Sequence, residues 1–229
     1  NFTTDAIREE LDLTVHRWGG NSTERYNHTT RSTVIGSDWH FLNVGLEEGR
    51  ESDDDDAFER GNAADGTDTI MTVPLSGWVS RGREATCGFP GATDHDLVEP
   101  HSDDQDLLCG NGWIEGQRVD RDDPTHTSVA IDEGFAARWV REMVATHGTA
   151  AEGGVELWAL GNEPGLWDQT HRDVVAEPVP REELIRRNQT YGRAVKAADP
   201  SAEVIGPVLW SGNSYYVTTG EMRNGLRPG

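Results

Sequence analysis

The sequence predicts an α/β fold built on a parallel sheet, and three observations lead there. Short apolar runs end in polar rim residues, amphipathic helices follow, and strand, loop, helix and strand recur in that order. No repeat of fixed period is visible.

Taken in order, Asp5 to Asp12 places Ile7 and Leu11 four apart, which suits a short helix over 5–12. Leu13 to Trp18 is a strand punctuated by Gly19 and Gly20, with Asn21 at its rim. Arg17 and Asn21 can both point into a site; a buried arginine paired to a strand carboxylate explains Arg17 equally well. Glu24 to Asn27 and Ser37 to Phe41 read as a rim loop. There Tyr26 or Trp39 could stack on a sugar face, although packed loop aromatics are commoner. The run Asp53 to Asp56 reads as solvated surface, and its spacing does not match an EF-hand.

Thr69 to Leu75 is the next strand, ending at Gly77 and Trp78. Ser80 to Thr127 lacks periodicity and reads as an acidic irregular insertion, centred on 83–127. Its Cys87 and Cys109 either close a loop in an oxidising compartment or remain two thiols; without histidines at ligand spacing they make a poor zinc site. Glu133 to Val144 puts Phe135, Trp139, Val140, Met143 and Val144 on one helical face, with Asp132 as N-cap. Val155 to Ala159 is a buried strand that runs into Asn162-Glu163-Pro164, and Pro164 has no N–H with which to continue a ladder. Arg181 to Ala198 is a helix carrying Leu184, Ile185, Tyr191 and Val195, and Glu203 to Trp210 is a further strand with Trp210 at its rim.

Composition bounds the partners. The 229 residues carry a formal net charge of −21, with one lysine, Lys196, beside 19 arginines. Such an acidic surface repels nucleic acid and anionic membranes. It suits a protein from a salt-loving source, where screening removes self-repulsion. No apolar run is long enough to span a bilayer. Asn1 is not an initiator methionine and the last residues resemble mid-chain sequence, so the chain is expected to be a fragment whose leader would not be seen.

The chemistry follows by elimination and then by position. The eight histidines are scattered with no His-x-x-x-His pair, and neither a Gly-x-Ser-x-Gly elbow nor a nucleotide glycine fingerprint is present. Carboxylates beside aromatic platforms remain, which is the chemistry of glycoside hydrolysis. Glu163 at a strand's C-terminal rim is the candidate acid; an ordinary strand-end glutamate before a turn is the alternative.

The segments Arg17-Trp18-Gly19-Gly20-Asn21, Arg25-Tyr26-Asn27, Gly36-Ser37-Asp38-Trp39, Pro74 to Trp78, and Leu160 to Trp167 continuing through Thr170-His171-Arg172-Asp173-Val174 resemble glycoside hydrolase family 44. The resemblance covers about residues 13 to 210. It implies a retaining endo-β-1,4-glucanase or xyloglucanase on a (β/α)8 TIM barrel with an appended β-sandwich. Carried over by position, Glu163 is the catalytic acid/base and Asn162 hydrogen-bonds the sugar 2-OH. Arg17, Asn21 and Trp39 line the cleft, with His171 and Trp210 as further substrate-binding candidates. These residues would then hold about strands 2 to 5 of the barrel, with the nucleophile and the sandwich outside them. Gly161 stands where the family more often has Asp, an exchange expected to matter little. The implied protein is secreted and monomeric, acts on β-glucan and needs no cofactor. An arabinofuranosidase-like glycosidase and a non-catalytic carbohydrate-binding homologue are the alternatives.

Overall fold

Four strands pair in parallel, in the spatial order in which they occur in the chain: β1 (Val15–Trp18), β2 (Asp68–Val73), β3 (Leu157–Leu160) and β4 (Glu203–Ile205). The register sets Trp18 beside Met71, Leu160 beside Val73 and Ala159 beside Ile205. A long helix lies between each successive pair: α1 (Asp55–Asp65), α2 (Glu133–His147) and α3 (Arg181–Ala198). Parallel neighbours need such crossovers, so the alternation seen in the sequence is realised as three βαβ units. The computed structural model describes residues 10–90, 96, 98–100, 108–119, 123–216 and 220. The helix expected over 5–12 falls mostly outside them.

Helices α2 and α3 start where the sequence places them, whereas α1 forms in a stretch that reads as surface. Asp132 accepts from the amides of Gly134 and Phe135, and α2 buries Phe135, Ala136, Trp139, Val140 and Met143. That face packs an aromatic core in which Tyr26 and Trp139 lie 5.5 Å apart, Trp18 and Phe58 5.4 Å, and Trp139 and Trp158 5.4 Å. In α3, Tyr191 and Val195 are buried and Leu184 packs against the core, whereas Ile185, expected on the same face, points away and is 49% exposed.

Several expectations are corrected. Asp53 to Asp56 is not simply solvated surface. Asp54 caps α1 by accepting from Asp56 and Ala57, and Asp55 is buried, accepting from the Tyr26 hydroxyl at 2.9 Å and the Trp139 indole at 2.5 Å. Burial pushes the Asp55 carboxyl up, against those two donors. Tyr26 is therefore a core residue and not a sugar platform. Trp78 does not end β2 but opens a separate strand, Trp78–Ser80, antiparallel to Ser128–Ala130. The expected strand over 203–210 stops at Ile205, before a cis Gly206–Pro207 bond.

Among the described residues the 83–127 stretch is not structureless. Thr86–Cys87 joins Leu42–Gly45 and Ser32–Val34 in a small sheet, Val98–Pro100 pairs Leu108–Gly110, and Cys87 is bonded to Cys109. A second tie crosses the rim. Arg25 and Asp173 are both wholly buried and meet through two hydrogen bonds of 2.9 and 3.1 Å, and Arg25 also donates to Ser128.

Replacing Asp173 by Ala leaves the Arg25 charge buried without its partner and is expected to cost about 3–5 kcal/mol in urea unfolding. Replacing both cysteines by Ser opens a loop with a sequence separation of 22 and is expected to cost about 3 kcal/mol, measured the same way against reduced and oxidised wild type.

Candidate active site

Beyond Leu160 the chain leaves β3 through Gly161, whose φ of +72° is disfavoured for a side chain. A Cβ there would lie 3.1 Å from Leu75 Cβ and 3.3 Å from both Glu24 Oε2 and the Trp167 ring. Glycine is thus favoured by backbone and space alike, and the exchange expected to matter little falls at a crowded point. Two residues on, Glu163 adopts φ 50° and ψ 51°, a left-handed conformation rare outside glycine, asparagine and aspartate. Such conformations persist where their surroundings hold them and concentrate at functional sites.

The surroundings here are specific. The Glu163 amide donates to the Val208 carbonyl at 2.8 Å, and the Glu163 carbonyl accepts from Leu166 at 2.9 Å. The wholly buried Trp167 donates its indole N–H to the Asn162 carbonyl at 2.8 Å. Arg17 reaches from β1 past Thr72, bonding its hydroxyl at 3.1 and 3.2 Å, and donates to Asn162 Oδ1 at 3.0 Å. Burial pushes the Arg17 guanidinium down from its ordinary value, opposed by the carboxylates of Glu163 and Glu24. The structure therefore brings Arg17, Thr72, Asn162 and Glu163 together at the C-terminal ends of three adjacent strands. The alternative of Arg17 paired to a strand carboxylate gives way to bonds with Thr72 and Asn162.

The other candidates separate. Asn21 is half-buried, and its side-chain amide donates to the Ile35 carbonyl at 3.4 Å. Trp39 is 46% exposed on the rim turn Gly36–Trp39, free to offer an indole face. Trp210 is 47% exposed, two residues beyond the carbonyl that holds the Glu163 amide. His171 is not brought to the cleft. It is wholly buried, burial and Arg25 hold its ring well below the ordinary histidine range, and neither ring nitrogen has a hydrogen-bond partner among the described residues. It packs as a neutral ring against the Gly36 turn. Beside this rim lies a cavity of about 620 Å³ lined by His40, Phe41, Trp113, Gln169, Thr170 and Arg172, the last stacked on Phe41, Phe89 and Trp113.

One participant was not legible in the sequence. Glu24, which reads as part of a polar rim loop, is wholly buried beneath Asn162. Its Oε1 accepts from the amides of Leu75 and Ser76, both at 2.6 Å, and its Oε2 from that of Asn162 at 2.7 Å. Its partners are backbone groups 51 to 138 positions away, and backbone groups leave no signature in side-chain pattern. As for metals, among the described residues Asp54, Asp55 and Asp56 could bring three oxygens within 4.8 Å of one another. Each already serves a cap, an aromatic donor or the Arg31 and His147 pairs.

A model of glycoside hydrolase family 44 matches residues 32–225. The chain is 26% identical over 212 residues to endoglucanase A of Paenibacillus lautus, covering 87% of this chain and 28% of that protein. It is 23% identical to the beta-mannanase/endoglucanase A of Caldicellulosiruptor saccharolyticus, of which it spans 16%. The crystal structure of CelM2, a bifunctional glucanase-xylanase protein from a metagenome library, superimposes with a TM-score of 0.86 at 31% identity, over 98% of this chain and 44% of that one. A Paenibacillus polymyxa xyloglucanase solved with xyloglucan shares the fold at a TM-score of 0.63 and 23% identity, over 95% and 43%. The chain thus spans less than half the length of these relatives. With the family model extending across most of it, the chain belongs to glycoside hydrolase family 44.

Proposed function

We propose that this chain is the acid/base half of a retaining glycoside hydrolase that cleaves β-1,4-glucan or xyloglucan internally. The observation that carries the reading is Glu163, held at the end of β3 in a left-handed conformation beside the Arg17–Asn162 hydrogen bond. In the proposed reaction the Glu163 carboxyl gives its proton to the glycosidic oxygen as the bond to the anomeric carbon breaks. A second carboxylate attacks that carbon and forms a glycosyl-enzyme. Water then displaces it, with Glu163 accepting the water's proton. In this reading Asn162 bonds the sugar 2-OH, while Arg17, Asn21, Trp39 and Trp210 supply polar and stacking contacts along the chain of sugars. His171 supports the rim from within.

The attacking group in this reading lies outside these 229 residues. Glu24, the other carboxylate acting on Arg17, is wholly buried and committed to three amides, so it is not the nucleophile. We place the whole chain in one incomplete TIM-barrel domain, about strands 2 to 5, with the acidic insertion around 83–127 and the family's β-sandwich elsewhere. The reaction takes no cofactor. The Cys87–Cys109 bond favours an oxidising, extracellular setting, and the protein is taken to act as a monomer.

Assay of the complete protein on xyloglucan, carboxymethyl-cellulose and an aryl arabinofuranoside tests the class, and turnover of the last alone would overturn it. Glu163→Gln in that protein is expected to lower kcat/KM, which reports formation of the glycosyl-enzyme, by about 10²- to 10⁴-fold on polysaccharide and far less on activated aryl glycosides; equal losses would remove the acid role. The net charge of −21 also predicts that desalting lowers the melting temperature, since repulsion is then unscreened. A melting temperature unchanged between low and molar salt would contradict a salt-adapted surface.

A further inference from the structure

We propose that Glu24 is a positioning residue for Glu163, holding the Asn162–Glu163 peptide at the height and angle at which its carboxyl meets the glycosidic oxygen. The inference rests on the acid role of Glu163 and adds to it a residue that touches no substrate.

The geometry is that of a clamp. The turn Asn21–Arg25 follows β1, and from it a single side chain binds the first amides beyond β2, at Leu75 and Ser76, and the second amide beyond β3, at Asn162. Three strand ends are thereby tied at one carboxylate. The Asn162 bond is the one that matters for chemistry, because the next residue carries the acid. The other handles on this peptide come from different directions: Trp167 on the Asn162 carbonyl, Arg17 on the Asn162 side chain and Val208 on the Glu163 amide. Without the Glu24 bond, the Asn162 amide would be left buried with no partner in the structure, and the left-handed turn at Glu163 would lose its lower support.

Three short N–H bonds to one carboxylate suit the ionised form. The charged and titratable groups acting on it are Arg17 from β1 and Tyr191 from α3, with Arg187 close by on the Leu75 and Ser76 carbonyls. Burial opposes ionisation and raises the Glu24 carboxyl to about 7, with the amide bonds pulling it back down.

Glu24→Gln separates positioning from packing. Its volume is unchanged, and its one carbonyl oxygen can still receive Leu75 and Ser76, but its NH2 group then faces the Asn162 N–H, donor against donor. In the complete protein this variant is expected to lose roughly 10- to 100-fold in kcat on polysaccharide, the scale of one hydrogen bond to a charged group, with KM little changed. The loss in kcat/KM on an activated aryl glycoside is expected to be under about threefold, because such a leaving group needs no acid in forming the glycosyl-enzyme, the step this ratio reports. Because Glu24 acts through Glu163, the Glu24→Gln/Glu163→Gln double variant should be no slower than Glu163→Gln alone. Equal losses on both substrates, additive losses or no loss would each overturn the proposal. Amide hydrogen exchange tests the clamp independently of activity: Asn162 should exchange about tenfold faster or more in Glu24→Gln while Leu75 and Ser76 stay protected. Unchanged protection at Asn162 overturns the proposal even if Glu163 is the acid. Intact polysaccharide turnover in Glu163→Gln would instead remove the acid role, and the exchange result would then identify Glu24 as a purely structural clamp.

Discussion

The rim of this sheet depends on one buried carboxylate. Glu24 gathers the amides of Leu75, Ser76 and Asn162, and these belong to the points where two neighbouring strands stop being strands. An isolated buried carboxylate costs several kcal/mol in an apolar medium, and it persists only where donors replace its lost water. Here those donors are strand-end amides, which would themselves be unsatisfied once the ladder ends. Each side cancels the other's penalty, and the result is a rigid platform on which Glu163 can hold an uncommon backbone conformation.

A second layer of buried polarity encloses that platform. Arg25, one residue after Glu24, runs to Asp173 in the loop after β3 and to Ser128 in the Ser128–Ala130 strand. Adjacent residues in one turn therefore do opposite things, Glu24 serving strand ends with its acceptors and Arg25 serving a loop with its donors. His171 lies near Arg25 as a neutral ring, since a second positive charge there would be neither hydrated nor paired. The loop after β3 is in this way fastened from within, while Trp39 and Trp210 stay exposed.

The cavity beside the rim shows what the disulfide-bonded stretch contributes. Arg172 spans Phe41, Phe89 and Trp113 and donates to the carbonyls of Asn111 and Val119, so its guanidinium helps hold to the rim a segment that has little core of its own and is cross-linked within itself by the Cys87–Cys109 bond. This is why a stretch without periodicity can still be ordered: its stability comes from cross-links and stacked charge and not from an amphipathic pattern.

Alternation of apolar runs with amphipathic helices was enough to predict a parallel sheet, because parallel neighbours require a crossover, although the first crossover helix lay hidden in an acidic run. The caps at Asp132 and the face of α2 were legible for the same local reason, and Asn162-Glu163-Pro164 marked the rim because proline ends a ladder. What the sequence could not decide was which polar residues turn inward. Tyr26, Asp55 and His171 pass for surface or cleft residues by type, and only packing put them inside, where donors 29 or 84 positions away could satisfy Asp55. Glu24 is the clearest case. Its meaning lies wholly in backbone amides brought to it from distant strands, so nothing short of the tertiary structure could have revealed it.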